Sequence, residues 1–179
     1  MKNTIFIGLL VVMLVLFASG CTVDTGYQTY NANGVSFQYP TDWEQLSPDK
    51  ISASTSGSAE IIASVVDPNS IQNNNYQTLV FVQKASATVS MTEAMAVNRA
   101  AIESAGGQVI SQKDLTVNGI AATELIYTIS SPSGVAKKER MVIMDKNNTL
   151  YYIICSTTAD GFDAQQSNFD QIIQSFQIQ

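Results

Sequence analysis

Residues 89–128 read VSMTEAMAVNRAAIESAGGQVISQKDLTVNGIAATELIYT, and within them the hydrophobic period changes once, from helical to extended. Ser90 and Glu93 stand at capping-box spacing, with the serine as N-cap and the glutamate reaching back from the third helical position. Met91, Met95, Ile102 and Ala105, with Ala94 and Ala101 beside them, keep the three-to-four spacing of a buried stripe. The methionines of that stripe read as core packing rather than as a peptide-binding surface. Gly106-Gly107 ends the helix at about Ala105, because glycine accepts the left-handed cap without a Cβ clash. A strand follows over Val109–Val117, a tight turn at Asn118-Gly119, and a second strand over Ala121–Ile129. In that second strand Ala122, Glu124, Ile126 and Thr128 face one way, and Ala121, Thr123, Leu125, Tyr127 and Ile129 the other.

Downstream the extended period continues. Pro132-Ser133-Gly134 turns into Val135–Asp145, where Lys137, Glu139 and Met141 share one face and Lys138, Arg140 and Val142 the other. That alternation of charge implies that the strand's beginning projects into solvent. Asn147-Asn148 leads into Thr149–Thr157, in which Cys155 follows Ile153 on the same face. A second helix starts after Asp160 or Asp163, with Phe162, Phe169, Ile172, Ile173 and Phe176 on one side and Gln and Asn residues opposite. It must dock on the sheet.

Upstream, Val35, Phe37 and Tyr39 alternate with Ser36 and Gln38 as a half-buried strand, which Pro40 stops. Trp43 and Leu46 sit in a short turn, and Ile51–Gly57 is Ser/Thr-rich, either an edge strand or a loop. Strands over Glu60–Val66 and Tyr76–Lys84 flank a polar connection containing Asn73-Asn74-Asn75, read as a solvated loop. The expected fold is α+β: a sandwich with a central, mainly antiparallel sheet of about six strands and helices packed on it.

The first 20 residues stand apart. Ile5 to Ala18 carries no charge, Lys2 is the only charge before it, and Ala18-Ser19-Gly20 precede Cys21. This is the pattern of a secretory signal, and its end resembles the lipobox of prokaryotic lipoproteins, in which the cysteine is acylated and becomes the first residue. The reading is therefore a signal peptide at 1–20, lipid attachment at Cys21, a tether over 21–32 and one domain over 33–179. Two other readings stay open: an uncleaved anchor, since about 20 residues span a bilayer, and simple secretion. All three place the domain outside the cytoplasm, on the extracytoplasmic face of the cell membrane for the two anchored forms.

Composition narrows the activity. Without Lys2 there are 8 basic against 15 acidic residues and no basic cluster larger than Lys137-Lys138, so nucleic acid is not an expected partner. The chain has no histidine, which excludes His-dependent triads and the usual zinc sites. With Cys21 committed to lipid, Cys155 has no intramolecular partner and reads as a buried, inert thiol. No cofactor and no catalytic residue are expected. Asn147-Asn148-Thr149 forms an acceptor triplet for N-glycosylation at Asn147, a pattern chance also supplies.

Several segments together resemble the PsbP-like domain family. The opening GVSFQYPTDWE matches its strand leading through YP to a tryptophan. The helix and hairpin at 89–128 match its Gly-x-x-Ala region at Gly119, Ala121 and Ala122, and the closing run ends in Ser175-Phe176. The likeness covers residues 33 to 177. It implies the α/β/α sandwich around an antiparallel sheet that is shared with the Ran-binding Mog-type proteins, and binding or assembly work rather than catalysis. The plant members serve photosystem II, but their partner-specific features do not carry over to a lipoprotein-like chain with no histidine and no basic docking patch.

The leading expectation is thus a membrane-tethered binding or accessory module with an envelope protein as partner. One competing class is a hydrolase or metal-binding protein using Asp42 with Glu44, or Asp160 with Asp163. Another is a structural wall component stacking glycans on Tyr27, Tyr30, Tyr39 and Tyr76.

Overall fold

The structure, a computed structural model, describes residues 26–51, 59–131 and 134–179. The expected signal, Cys21, the segment from 52 to Gly57 and the turn residues Pro132 and Ser133 lie outside the described residues. In chain order the elements are β1 (Tyr27–Ala32), β2 (Val35–Pro40), β3 (Glu44–Gln45), β4 (Glu60–Val66), β5 (Ile71–Gln72), β6 (Asn75–Tyr76) and β7 (Leu79–Ser86). Then come α1 (Met91–Ser104), β8 (Gln108–Val117), β9 (Ile120–Ser130), β10 (Ala136–Lys146), β11 (Thr149–Thr158), α2 (Phe162–Ser175) and β12 (Gln177–Ile178).

Seven strands form one antiparallel sheet in the order β3-β4-β7-β11-β10-β9-β8. Helix α1 carries the chain from β7 to the far edge at β8, and three successive hairpins return it until β11 pairs with β7. The capping box forms as expected: Ser90 Oγ accepts the Glu93 amide at 3.2 Å, and the Glu93 carboxylate accepts the Ser90 amide at 3.0 Å. A Cβ on Gly107 would lie 2.6 Å from the Thr128 carbonyl, so the close passage of the helix exit against β9 requires glycine there. Ala94, Met95 and Ile102 are buried, whereas Ala101 and Ala105 are exposed, so the buried stripe of α1 is narrower than its sequence suggests.

Each sheet face has its own core. Phe81, Leu125, Met141, Ile143 and Ile154 pack with Ala94, Met95 and Ile102 under α1. On the other face Val65, Val82, Val142, Met144, Ile153 and Cys155 pack with Phe162, Phe169, Ile172 and Ile173 of α2. Three departures from the sequence reading concern that second face and the sheet itself. The sheet has seven strands, not about six, and the Val35–Pro40 strand is not among them: β2 pairs with β1 and β12 in a separate three-stranded sheet. Tyr27–Ala32, read as tether, is β1, turned back onto β2 by Asn33 and Gly34 at φ 53° and 79°. Its Tyr30 ring stacks on Phe37 at 4.9 Å, and Phe37 lies 6.3 Å from Phe176, which joins this small sheet to the end of α2. The start of β10 does not project into solvent, since Lys137 is buried and Arg140 lies under α2.

The Asn118-Gly119 hairpin is also a clasp. Asn118 takes φ 44°, and its Nδ2 donates to the carbonyls of Gln174 at 3.1 Å and Phe176 at 2.7 Å, satisfying acceptors at the α2 C-terminus. Among the described residues no helix is long and apolar enough to cross a membrane. The architecture is an α+β sandwich: α1, the seven-stranded sheet, then α2 with the small sheet beside it.

Phe169 is fully buried in the α2 core. We expect Phe169→Ala to cost about 3–5 kcal/mol in urea unfolding. A loss below about 1 kcal/mol would show that α2 does not depend on that core.

Candidate functional site

Glu124 occupies the one ionisable position on the α2-facing side of β9, opposite Val142 in the β10 register. Its side chain is 1% exposed. Lys113 Nζ, from the edge strand β8, reaches one carboxylate oxygen at 3.1 Å, and Arg140 Nε donates to the other. Arg140 Nη1 then donates to Asp170 Oδ1 of α2 at 2.5 Å. Burial opposes the Arg140 charge, but Asp170 and Glu124 outweigh it and raise its pKa above the ordinary arginine value. The cluster ties the sheet to α2 through charge-assisted hydrogen bonds.

On the opposite face Glu139 accepts Tyr127 OH at 2.7 Å and Ser156 Oγ at 2.8 Å. Lys137 Nζ donates to the Gln77 carbonyl at 2.7 Å. Burial first, and the neighbouring Glu139 charge second, push the Tyr127 phenol well above the usual tyrosine range. Burial pulls the Lys137 ammonium down, against the opposing pull of Glu139. Among the described residues, every buried side-chain nitrogen or oxygen has a hydrogen-bond partner, so neither cluster aims an orphaned group at an absent ligand.

A shallow cleft of about 430 Å³ lies at one end of the sheet, lined by Gln72, Val135, Ala136, Thr158, Ala159 and Asp160. Asp160 is exposed, and a hydrogen bond from the Thr158 side chain lowers its pKa. That is the behaviour of a turn residue leading into α2, not of a general acid, which needs a raised pKa.

The residues singled out in the sequence do not converge. Asp42 and Glu44 are exposed on either side of buried Trp43. Asp163 lies in the first turn of α2, 3.9 Å from Lys138. Among the described residues no three Asp, Glu, His or Cys side chains are placed to hold a metal ion. The glycan-stacking surface is corrected outright: Tyr30 and Tyr39 are buried, with Tyr30 OH donating to the Ile62 carbonyl at 3.0 Å and Tyr39 OH accepting Gln45 Nε2 at 2.9 Å. Asn147 is exposed at the β10–β11 hairpin tip, with φ 54°. Cys155 is fully buried, and that burial raises its pKa, which keeps it a protonated thiol. The buried Glu124–Arg140 pair was not anticipated. Its only signal is a carboxylate placed between Ala122 and Ile126 on an otherwise apolar strand face.

Arg140→Met leaves a buried carboxylate with Lys113 alone, and we expect it to lose about 3–5 kcal/mol of stability. Adding Glu124→Leu should recover most of that loss in chemical denaturation; an equal deficit in single and double variants would remove the cluster from the account. Tyr127 gives a pH dependence of definite sign. The folded state holds its proton more tightly than the unfolded chain, so this contribution is intact below the ordinary value of 10 and is lost as pH rises beyond it. Stability above pH 10 should therefore fall more steeply for the native chain than for Tyr127→Phe, with parallel profiles counting against the buried phenol.

The fold occurs in other proteins. No curated protein matches this chain. Among solved structures, cyanobacterial PsbP (CyanoP) from Synechocystis sp. PCC 6803 superposes with a TM-score of 0.62 at 16% identity, covering 92% of this chain and 99% of its own. LpqN of Mycobacterium tuberculosis, described as involved in cell envelope biogenesis, gives 0.59 at 13% identity, covering 85% and 90%. A Pseudomonas aeruginosa protein of unknown function gives 0.52 at 14%, covering 83% and 94%. At these identities the likeness is one of fold. The sequence model of the PsbP-like protein family matches residues 21–178, nearly the whole chain, and to that family this chain belongs.

Proposed function

We propose that this protein is a non-catalytic accessory domain, tethered to the cell membrane through Cys21 and acting on its extracytoplasmic face by binding or helping to assemble an envelope protein. The run Ala18-Ser19-Gly20-Cys21 behind an uncharged apolar stretch carries this reading. It agrees with LpqN, which shares the fold and is described as involved in cell envelope biogenesis. Asp42 and Glu44 lie on either side of buried Trp43, and among the described residues no three such groups are placed to hold a metal ion, which favours this reading over the hydrolase or metal-binding alternative. Asn147 serves as a glycosylation acceptor only where the export route carries out that modification.

The test is the mature N-terminus and the fate of Cys21→Ala. Mass spectrometry of the native protein should find a chain beginning at Cys21 and carrying acyl mass, released from membranes by detergent but not by salt. Cys21→Ala should keep residues 1–20. An unmodified native chain beginning at Met1 would replace the lipid by an uncleaved helix, and a native chain free in the medium would overturn the tether.

A further inference from the structure

The hydrogen bonds around Gly26 fix which end of the sheet receives the chain from Cys21. The Gly26 carbonyl accepts the Thr41 amide at 3.0 Å, and Gln28 Nε2 donates to the Trp43 carbonyl at 3.0 Å. Trp43 leads directly into β3, whose Glu44 and Gln45 pair with Val66 and Val65 at the end of β4. The chain therefore arrives where β4 runs out and the Asp67–Gln77 excursion begins. The same end holds the cleft, in which Gln72 of β5 meets Ala136 and Thr158, the first residue of β10 and the last of β11.

The opposite end is defined equally well. Asn33 Nδ2 donates to the Ile62 carbonyl at 2.7 Å, and the Gln179 amide donates to the Gly34 carbonyl at 2.9 Å. Lys146 Nζ reaches the Ile178 carbonyl at 3.0 Å, and Asn118 reaches Phe176 at 2.7 Å. The Asn33, Asn118 and Asn147 turns thus gather at the end away from Gly26.

Five peptide links separate Cys21 from Gly26 and span about 18 Å at most, at 3.3–3.6 Å per residue. Gly26 stands seven residues before Asn33 through the six-residue strand β1, about 23 Å at 3.3 Å per residue. Setting the asparagine-tipped end on the bilayer would hold Gly26 beyond the full reach of that leader.

We infer that the sheet end bearing the Asp67–Gln77 excursion, with Ile71 at its exposed ribbon, is the surface this protein rests on the headgroup layer of its own membrane, and that the three asparagine-tipped turns point outward. The inference rests on the tether proposed above and adds to it the docking face. Ile71 is 50% exposed on the ribbon, an apolar side chain suited to the headgroup boundary. Asp67 caps the turn just before it and Asp160 lines the cleft with Gln72, while Lys137 reaches the Gln77 carbonyl and Lys138 lies 3.9 Å from Asp163. The matching surface is a zwitterionic headgroup layer, which a layer rich in anionic lipid would push away.

Acylation of Cys21 and burial of Cys155 leave an introduced cysteine as the sole site for labelling. Full-length lipidated Gln72→Cys and Asp145→Cys, each carrying a fluorophore, are reconstituted in phosphatidylcholine vesicles containing headgroup-nitroxide lipid and collected by flotation. Quenching at position 72 should exceed that at 145 at least three-fold, a rough threshold, and should drop when phosphatidylglycerol replaces part of the phosphatidylcholine. Equal quenching, as for a domain lying flat, or stronger quenching at 145 overturns the orientation while leaving the tether standing. Protein that does not float with the vesicles overturns the tether and the orientation together.

Discussion

Pairing of β11 with β7 joins Ser86 to Thr149 and Leu79 to Ser156, strands contributed by the two halves of the chain. Every other pairing of the large sheet links strands that are closer along the chain: β3 and β4 with β7 on one side, and the β8–β11 meander on the other. Without that seam there would be two separate sheets of three and four strands. With it, Val82 and Ile153 lie opposite each other on the α2 face, and Phe81 and Ile154 on the α1 face. The seam carries a polar fastening at one end, where Thr78 and Thr157 share a buried hydrogen bond of 2.8 Å. Its long loop closure, spanned by α1, is the entropy that the apolar burial on both faces must offset.

Two buried charge centres sit on opposite faces of this sheet, and both draw on β10. Even-numbered Arg140 points to α2 and meets Glu124 and Asp170, while odd-numbered Glu139 points the other way and collects Tyr127 and Ser156. Burying such groups costs several kcal/mol per ion unless each is paired. That cost makes the pairing selective. A slip of β10 by one residue would carry Arg140 to the α1 face and Glu139 to the α2 face, away from their partners. The run Lys137-Lys138-Glu139-Arg140 therefore pins the register of a central strand whose apolar residues alone, from Met141 to Met144, would tolerate either face.

That role explains what was legible in the sequence and what was not. Elements whose period is local were legible: the Ser90 cap, the Asn118-Gly119 turn, the alternation of β9 and the apolar face of α2 all fall where their residues place them. The family resemblance was legible for the same reason. The charge run of β10 reads as solvated because alternating charges usually are, and only the cross-strand partners Glu124 and Ser156 and the helical Asp170 reverse that, none of them near in sequence. β1 was hidden because YQTYNA offers little apolar alternation, and its order comes from pairing with β2 and from Tyr30 stacking on Phe37. The same non-local contact removed Tyr30 and Tyr39 from any exposed aromatic patch.

A domain that covers both faces of its sheet and pairs its buried polar groups internally leaves the outer faces of its helices and its rim to offer a partner. Among the described residues that rim includes the outer edge of β8, the opposite edge at β3 and the two ends of the sheet. The β8 edge is ten residues long but is interrupted by a bulge between Val109 and Ser111 and carries Lys113 and Asp114, features that discourage another strand from adding to it. The ends differ from each other in chemistry. One presents an acidic border around Ile71 and the cleft; the other presents amide-tipped turns held by hydrogen bonds to the chain's last residues. Amide side chains held at the ends of stiff hairpins can donate and accept without the ordering cost of a long loop. The apolar motifs that carry the family likeness are by contrast occupied in holding the two cores together.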